Sequence, residues 1–365
     1  MRQTKVRSIA LDITRIYAFF SVVAVHFFYN SDFYSASVSG LGMCAAIVVR
    51  TFFSACVPLF LLLSGYLLCR RPPIRNSRNL GRYLLKSGRI VCTYILSYIG
   101  IALFRRYCTT EEVGLRNALL QMFEFPQYGW YVNMYLGLYL LIPFLNVVWA
   151  GLEGKAARKS LLCAMFLLTI LPTVLNACRF HGSFLKIIPD WWTDLVPITV
   201  YYIGAYIREY FRPESMNRGK ILLLLLLCLA FGSGYTIVRS WGVPFSFGPW
   251  SENMGWIGIA VAVPVFLLLN SIPWPEPGKT GSWLLAPISE LTLGAYLLSW
   301  VSDQLIYRQM KRLLPTLAQQ FRFGGIAVLL SALLALLLSL GVWLTMKLSA
   351  ALIQRFRKRL QPQPE

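Results

Sequence analysis

Arg15 and His26 stand eleven residues apart in the apolar segment LDITRIYAFFSVVAVHFF, with Asp12 just ahead of the arginine. At 3.6 residues per turn and 1.5 Å rise per residue, eleven residues make about three turns, so Arg15 and His26 share one helix face about 16 Å apart. Ionisable side chains in an apolar span cost at least about 3 kcal/mol each and call for a reason. Imidazole titrates closest to neutrality of all side chains, which suits it to take a proton from a hydroxyl. The structural alternative is a histidine bonded to a backbone carbonyl, with Arg15 snorkelling to the headgroups.

A second chemical cluster follows in VPLFLLLSGYLLCRRPPIRNSR. Pro58 can kink this helix, and Ser64 with Gly65 permits close packing or a pocket. Immediately after come Arg70, Arg71, Arg75 and Arg78. Planar guanidinium forks suit phosphate groups, so four of them beside a membrane pocket fit a phosphorylated, water-soluble donor. On charge alone they fit a topology signal equally well. Arg50 and Glu290 are candidate charge partners in a central cavity or interfacial residues; Trp130 and Tyr131 are candidates for sugar stacking or for an interfacial aromatic belt.

The elements that must hold these residues are helices in lipid. Of 365 residues, 57% are hydrophobic and 14% charged, far from the balance of soluble domains. Runs such as Ile221 to Ala230 and Ile326 to Leu340 lack the alternation of barrel strands. An all-α polytopic membrane protein follows, with about ten spans: Ile9 to Tyr29, Leu41 to Leu68, Tyr83 to Phe104, Gly129 to Trp149, Ser160 to Cys178, Trp191 to Ile207, Ile221 to Val238, Trp250 to Ile272, Trp283 to Ile306 and Gly324 to Leu348. The sixth and eighth are the weakest, being short or broken by Pro197 and Pro264.

The net charge of +20 gathers in short segments between spans, which orients a membrane protein rather than marking a nucleic-acid face. Its bias predicts both termini in the cytoplasm, although Arg308, Lys311, Arg312 and Arg322 then fall outside. The amino terminus reads as a retained helix, not a cleaved signal peptide. Residues 1–350 form a single transmembrane domain, and 351–365 a basic cytoplasmic tail. The two histidines cannot make a histidine-rich metal centre, and the eight scattered cysteines contain no CxxC pair.

The LDxxR opening, the Arg15-x10-His26 spacing, VPLFxxxSGYLL and the RNSR loop together resemble the membrane-bound acyltransferase 3 family. GWYVNMYLGLYLLIPFLN, VYYIGAYI and ISELTLGAYLLSW resemble further helices of that family, so the likeness spans most of the chain. It implies an integral-membrane O-acyltransferase in a bacterial inner membrane. Its co-substrate would be cytoplasmic acyl-CoA, usually acetyl-CoA, with no bound cofactor, and its acceptor a hydroxyl of an envelope glycan or lipid-linked sugar. By the same analogy His26 is the catalytic histidine, Arg15 its motif partner, and Arg75 with Arg78 the donor-side pair. One departure stands out: many relatives carry a histidine near the end of the penultimate-helix pattern, where this chain has Ser299 and Trp300. A polysaccharide or lipid-sugar exporter is the alternative, with intramembrane charges lining a pathway.

Overall fold

The computed structural model describes residues 8–71, 77–109, 116–117, 128–175, 179–180, 183–184, 187–252, 254–275 and 282–360. Almost all of these are helical. In chain order the helices are α1 (Ile9–Asn30), α2 (Gly40–Phe53), α3 (Cys56–Leu68), α4 (Ser77–Cys108), α5 (Trp130–Gly151), α6 (Gly154–Met165), α7 (Leu171–Leu175), α8 (Val196–Tyr210), α9 (Arg218–Ser240), α10 (Trp256–Ser271), α11 (Ser282–Leu313) and α12 (Leu317–Leu360). A π turn over Phe166–Ile170 joins α6 to α7, and Arg179–Phe180 pairs antiparallel with Ser183–Phe184.

Among the described residues, eight spans are long and apolar enough to cross a bilayer. Each of the ten sequence-derived spans overlaps a helix, but two fall short. α8 has 15 residues and α10 has 16, about 22–24 Å of helix against a hydrocarbon core of about 30 Å. The sequence window Trp191 to Ile207 had absorbed a separate 3-10 turn, Asp190–Leu195. At the other extreme, α12 runs unbroken through residue 350 to Leu360, so no backbone break sets off a tail there. Leu223, Leu226 and Leu227 of α9 are each more than half exposed, as expected where lipid replaces water as the surrounding solvent.

Three helices frame the chemistry. Arg15 and Asp12 of α1 meet Ser289 of α11, while His26 further along α1 meets Asp303 further along α11, so the two helices run parallel. One turn beyond Asp303, the Tyr307 hydroxyl donates to the Val23 carbonyl at 2.9 Å. α12 returns antiparallel: Ser339 Oγ donates to the Leu291 carbonyl and Ser331 pairs with Ser302, leaving the start of α1 and the end of α12 at one end of the bundle. At the opposite end, Lys311 Nζ lies 2.7 Å from Asp32 in the turn after α1.

α3 crosses α8 in near backbone contact, because a Cβ on Gly65 would collide with the Tyr201 carbonyl and one on Gly204 with that of Leu62. Small residues let helices approach this closely where no hydrophobic effect drives them together. Asn146 of α5 ties the crossing down, donating to the Leu68 carbonyl at 2.8 Å and accepting from the Tyr201 hydroxyl at 2.6 Å.

Candidate functional site

His26 occupies the last turns of α1, where Phe19, Val22, Val23 and Phe27 bury its helix against the core. Its Nδ1 lies 2.9 Å from Asp303 Oδ2, and the Asp303 side chain is fully buried. The second carboxylate oxygen accepts from Ser331 Oγ at 2.7 Å, and Ser331 in turn pairs with Ser302 Oγ at 2.9 Å. A carboxylate so held takes the Nδ1–H, fixes the imidazole tautomer and leaves Nε2 free to act as a base. Ser299, one turn before Asp303, donates to the Tyr296 carbonyl and places its Oγ 3.5 Å from His26 Nδ1. The Tyr128 ring packs edge-on to the imidazole at 4.3 Å, and its hydroxyl accepts from Asn30 Nδ2 at 3.2 Å. Burial, with the Asp303 charge adding to it, pushes the Tyr128 phenol well above its ordinary pKa, so it stays protonated.

His26, Asn30 and Tyr128 line a cavity of about 500 Å³ together with Trp130, Tyr296 and Trp300, while Asp303 and its serines lie buried behind the imidazole. Toward the start of α1 lies a second cavity of about 340 Å³, lined by Arg15, Ser64, Arg71, Tyr131, Tyr135 and Tyr296 among apolar side chains. Arg15 is anchored there, donating to Ser289 Oγ at 2.6 Å and to Asp12 Oδ1 at 3.2 Å. Among the described residues, only Tyr296 lines both cavities. A third hollow of about 780 Å³ shares Tyr29 and Trp130 with the His26 cavity and carries Asp190, Asp194 and Glu252, with no Lys or Arg among its described lining residues. Among the described residues, no three His, Cys, Asp or Glu side chains gather as a metal site.

A histidine–carboxylate dyad beside a polar pocket within an apolar helical bundle is a setting for group transfer. The model of an acyltransferase domain, that of the acyltransferase 3 family, matches residues 8–347. The chain belongs to that family. No curated protein and no solved structure matches it. It is a multi-pass membrane acyltransferase, and the match covers every helix that builds its cavities.

The acyltransferase brings some of its sequence-predicted residues together and leaves others apart. His26 lines the first cavity and Arg15, Ser64 and Arg71 the second, whereas Arg70 and Arg78 are exposed and line none of the three. Arg75 lies outside the described residues. Trp130 and Tyr131, adjacent in sequence, face different cavities. Arg50 lines no cavity: its guanidinium sits 4.7 Å over the Phe245 ring, donates to Tyr34 Oη and to the Ser251 carbonyl, and thereby ties α2 to the segment between α9 and α10. Glu290 accepts from Arg89 at 3.2 Å on the exposed side of α11, again away from the cavities.

Three residues of the site carried no assignment from the sequence: Tyr128 and Tyr296, which line the His26 cavity, and Asp303, which is buried behind His26. Asp303 had a visible signal, since it is a carboxylate inside the ninth predicted span. Position 299, near which the resemblance leads one to expect a histidine, is a serine. The carboxylate stands four residues on, on the same helix face.

Proposed function

We propose that this acyltransferase moves an acyl group, acetyl in the simplest case, from acyl-CoA to a hydroxyl of an envelope glycan or lipid-linked sugar in a bacterial inner membrane, with His26 as the general base. The single observation that carries the reading is the His26–Asp303 contact at 2.9 Å in a cavity of its own, beside a second cavity that holds Arg15 and Arg71.

With the start of α1 on the cytoplasmic side, acyl-CoA arrives at the Arg71 end. Arg71, helped by Arg70, Arg75 and Arg78 nearby in the chain, takes the donor's phosphates. The apolar lining from Phe60, Leu63, Leu67 and Leu293 receives the arm that carries the thioester toward Tyr296. The acceptor comes from the other end, through the hollow shared at Tyr29 and Trp130. Aromatic faces there suit a sugar ring, and Asp190, Asp194 and Glu252 can accept hydrogen bonds from its hydroxyls. His26 Nε2 removes the proton of the attacking hydroxyl, and Asp303 stabilises the imidazolium that results. The histidine–carboxylate dyad in contact at 2.9 Å favours an enzyme over an exporter, because proton abstraction needs that pairing and passage of a polysaccharide does not.

The test is transfer rate per folded molecule for wild type, His26→Ala and His26→Gln, read beside melting temperature and acetyl-CoA affinity. A general base contributes typically 10²- to 10⁴-fold, so both variants are expected to lose about that factor while folding normally and binding donor. Near-normal turnover in both would remove His26 from the chemistry.

A further inference from the structure

We infer that Tyr296 is a catalytic residue whose hydroxyl donates a hydrogen bond to the acyl donor's thioester carbonyl and holds the oxyanion that forms there. This rests on the acyltransferase reading above.

Its position comes first. Tyr296 sits on α11 one turn before Ser299 and two turns before Asp303, on the face turned to α1. Among the described residues it is the one side chain shared by the cavity that holds Arg15 and Arg71 and the cavity that holds His26. A donor entering through the first and an acceptor entering through the second meet only where Tyr296 stands. Its ring packs edge-on against Tyr131 at 5.8 Å, which steadies the phenol from the donor side.

The second observation concerns the hydroxyl alone. Tyr296 is 5% exposed, yet among the described residues its hydroxyl proton finds no acceptor, since the backbone N–H of Tyr131 beside the phenol oxygen is itself a donor. Leaving a buried polar group unpaired typically costs 1–3 kcal/mol, and such groups are uncommon in native structures. A phenol sacrifices nothing in packing when it becomes a phenylalanine, so a hydroxyl proton without an acceptor at the junction of two substrate cavities points to a partner brought by substrate. A neutral phenol is a donor suited to a carbonyl oxygen that gains negative charge.

The step balances without a further reactant. The acceptor oxygen attacks the thioester carbon as its proton passes to His26 Nε2, and the carbonyl π pair moves onto oxygen, where the Tyr296 O–H donates. The carbonyl re-forms as the carbon–sulfur bond breaks, and the leaving thiolate takes the proton back from His26. Products are the ester and free CoA thiol.

Tyr296→Phe removes the oxygen and little else. With purified full-length protein, acetyl-CoA as donor and a total extract of envelope glycan as acceptor, thiol release per folded molecule should fall about 10²- to 10³-fold in kcat. Acetyl-CoA affinity should stay within about threefold, and the melting temperature should hold or rise, because an unsatisfied group has been removed. Tyr17→Phe is the control: its hydroxyl is also buried, but it lines neither cavity, so its turnover should not change. A spectroscopic readout separates contact from structure. In the His26→Ala background, bound acetyl-CoA labelled with carbon-13 at the carbonyl should show a lower carbonyl stretching frequency than in His26→Ala with Tyr296→Phe. Turnover of Tyr296→Phe within about threefold of wild type, loss confined to donor affinity, or an unmoved carbonyl band overturns the assignment. A wild-type protein that releases no thiol overturns the acyltransferase reading itself, and this inference with it.

Discussion

Asp303→Asn keeps the shape of the dyad and removes its charge. Nδ1 of His26 and Oδ2 of Asp303 are 2.9 Å apart, which puts the centres of an imidazolium and a carboxylate roughly 4 Å from each other. With an effective dielectric constant of about 20, that attraction is about 4 kcal/mol. It arises only once His26 has taken a proton, so it stabilises the transition state and not the resting enzyme. At about 1.4 kcal/mol per decade, its loss should slow transfer about 10³-fold. Asparagine can also offer its amide N–H to Nδ1 and so favour the wrong tautomer, which works in the same direction. Stability should hardly suffer, because the Ser331 hydroxyl can still donate to the amide oxygen and a desolvated charge has gone. The assay is thiol release from acetyl-CoA per folded molecule, with melting temperature alongside. Two residues acting as one unit also predict that Asp303→Asn costs almost nothing further in a His26→Ala background. A single Asp303→Asn variant within about fivefold of wild type, or additive losses in the double variant, would refute the dyad.

Arg71→Ala should weaken acetyl-CoA binding about 10- to 100-fold, the worth of a charge-assisted hydrogen bond, and the affinity lost should be the salt-sensitive part. Arg78→Ala should do less, because Arg78 lines no cavity; equal effects from the two, measured by titration at several ionic strengths, would place the phosphates elsewhere. At the opposite end of the bundle, the hydrogen bond from Lys311, followed by that from Gln320, holds the Asp32 carboxyl below its ordinary pKa. A lowered folded-state pKa stabilises the protein above the unfolded carboxylate value of about 4 and loses that contribution as pH falls through the folded value. Wild type should therefore melt slightly above Asp32→Asn at pH 7, with the gap closing below about pH 4. Because both partners are about 40% exposed, the gap should correspond to less than about 1 kcal/mol; a gap unchanged by acid would disprove the pairing.

The part of the site carried by α1 was legible because its chemistry lies in one continuous helix. Arg15 and His26 need only helical periodicity to be placed on one face, and the structure gives each a cavity. What completes the dyad comes from α11 and α12, and no local pattern ties His26 to Asp303 or Ser331. Arg50 could be seen as a buried charge, but its partners Tyr34 and the Ser251 carbonyl are products of tertiary packing. The same limit explains the spans. Apolar windows mark α8 and α10, but hydropathy does not reveal that α8 starts only after a 3-10 turn or that α10 stops at Ser271. Nor does it show that Gly65 and Gly204 draw α3 and α8 to backbone contact.

Tyr296 has a consequence apart from chemistry. Cavities reaching in from opposite ends of a bundle shorten the barrier between the two compartments, and an open join would let protons and sodium run down their gradients. Tyr296, packed edge-on against Tyr131, stands where the two cavities adjoin. A small residue at position 296 would thus turn a catalyst into a leak, so the energy stored across the membrane constrains this position as firmly as the reaction does.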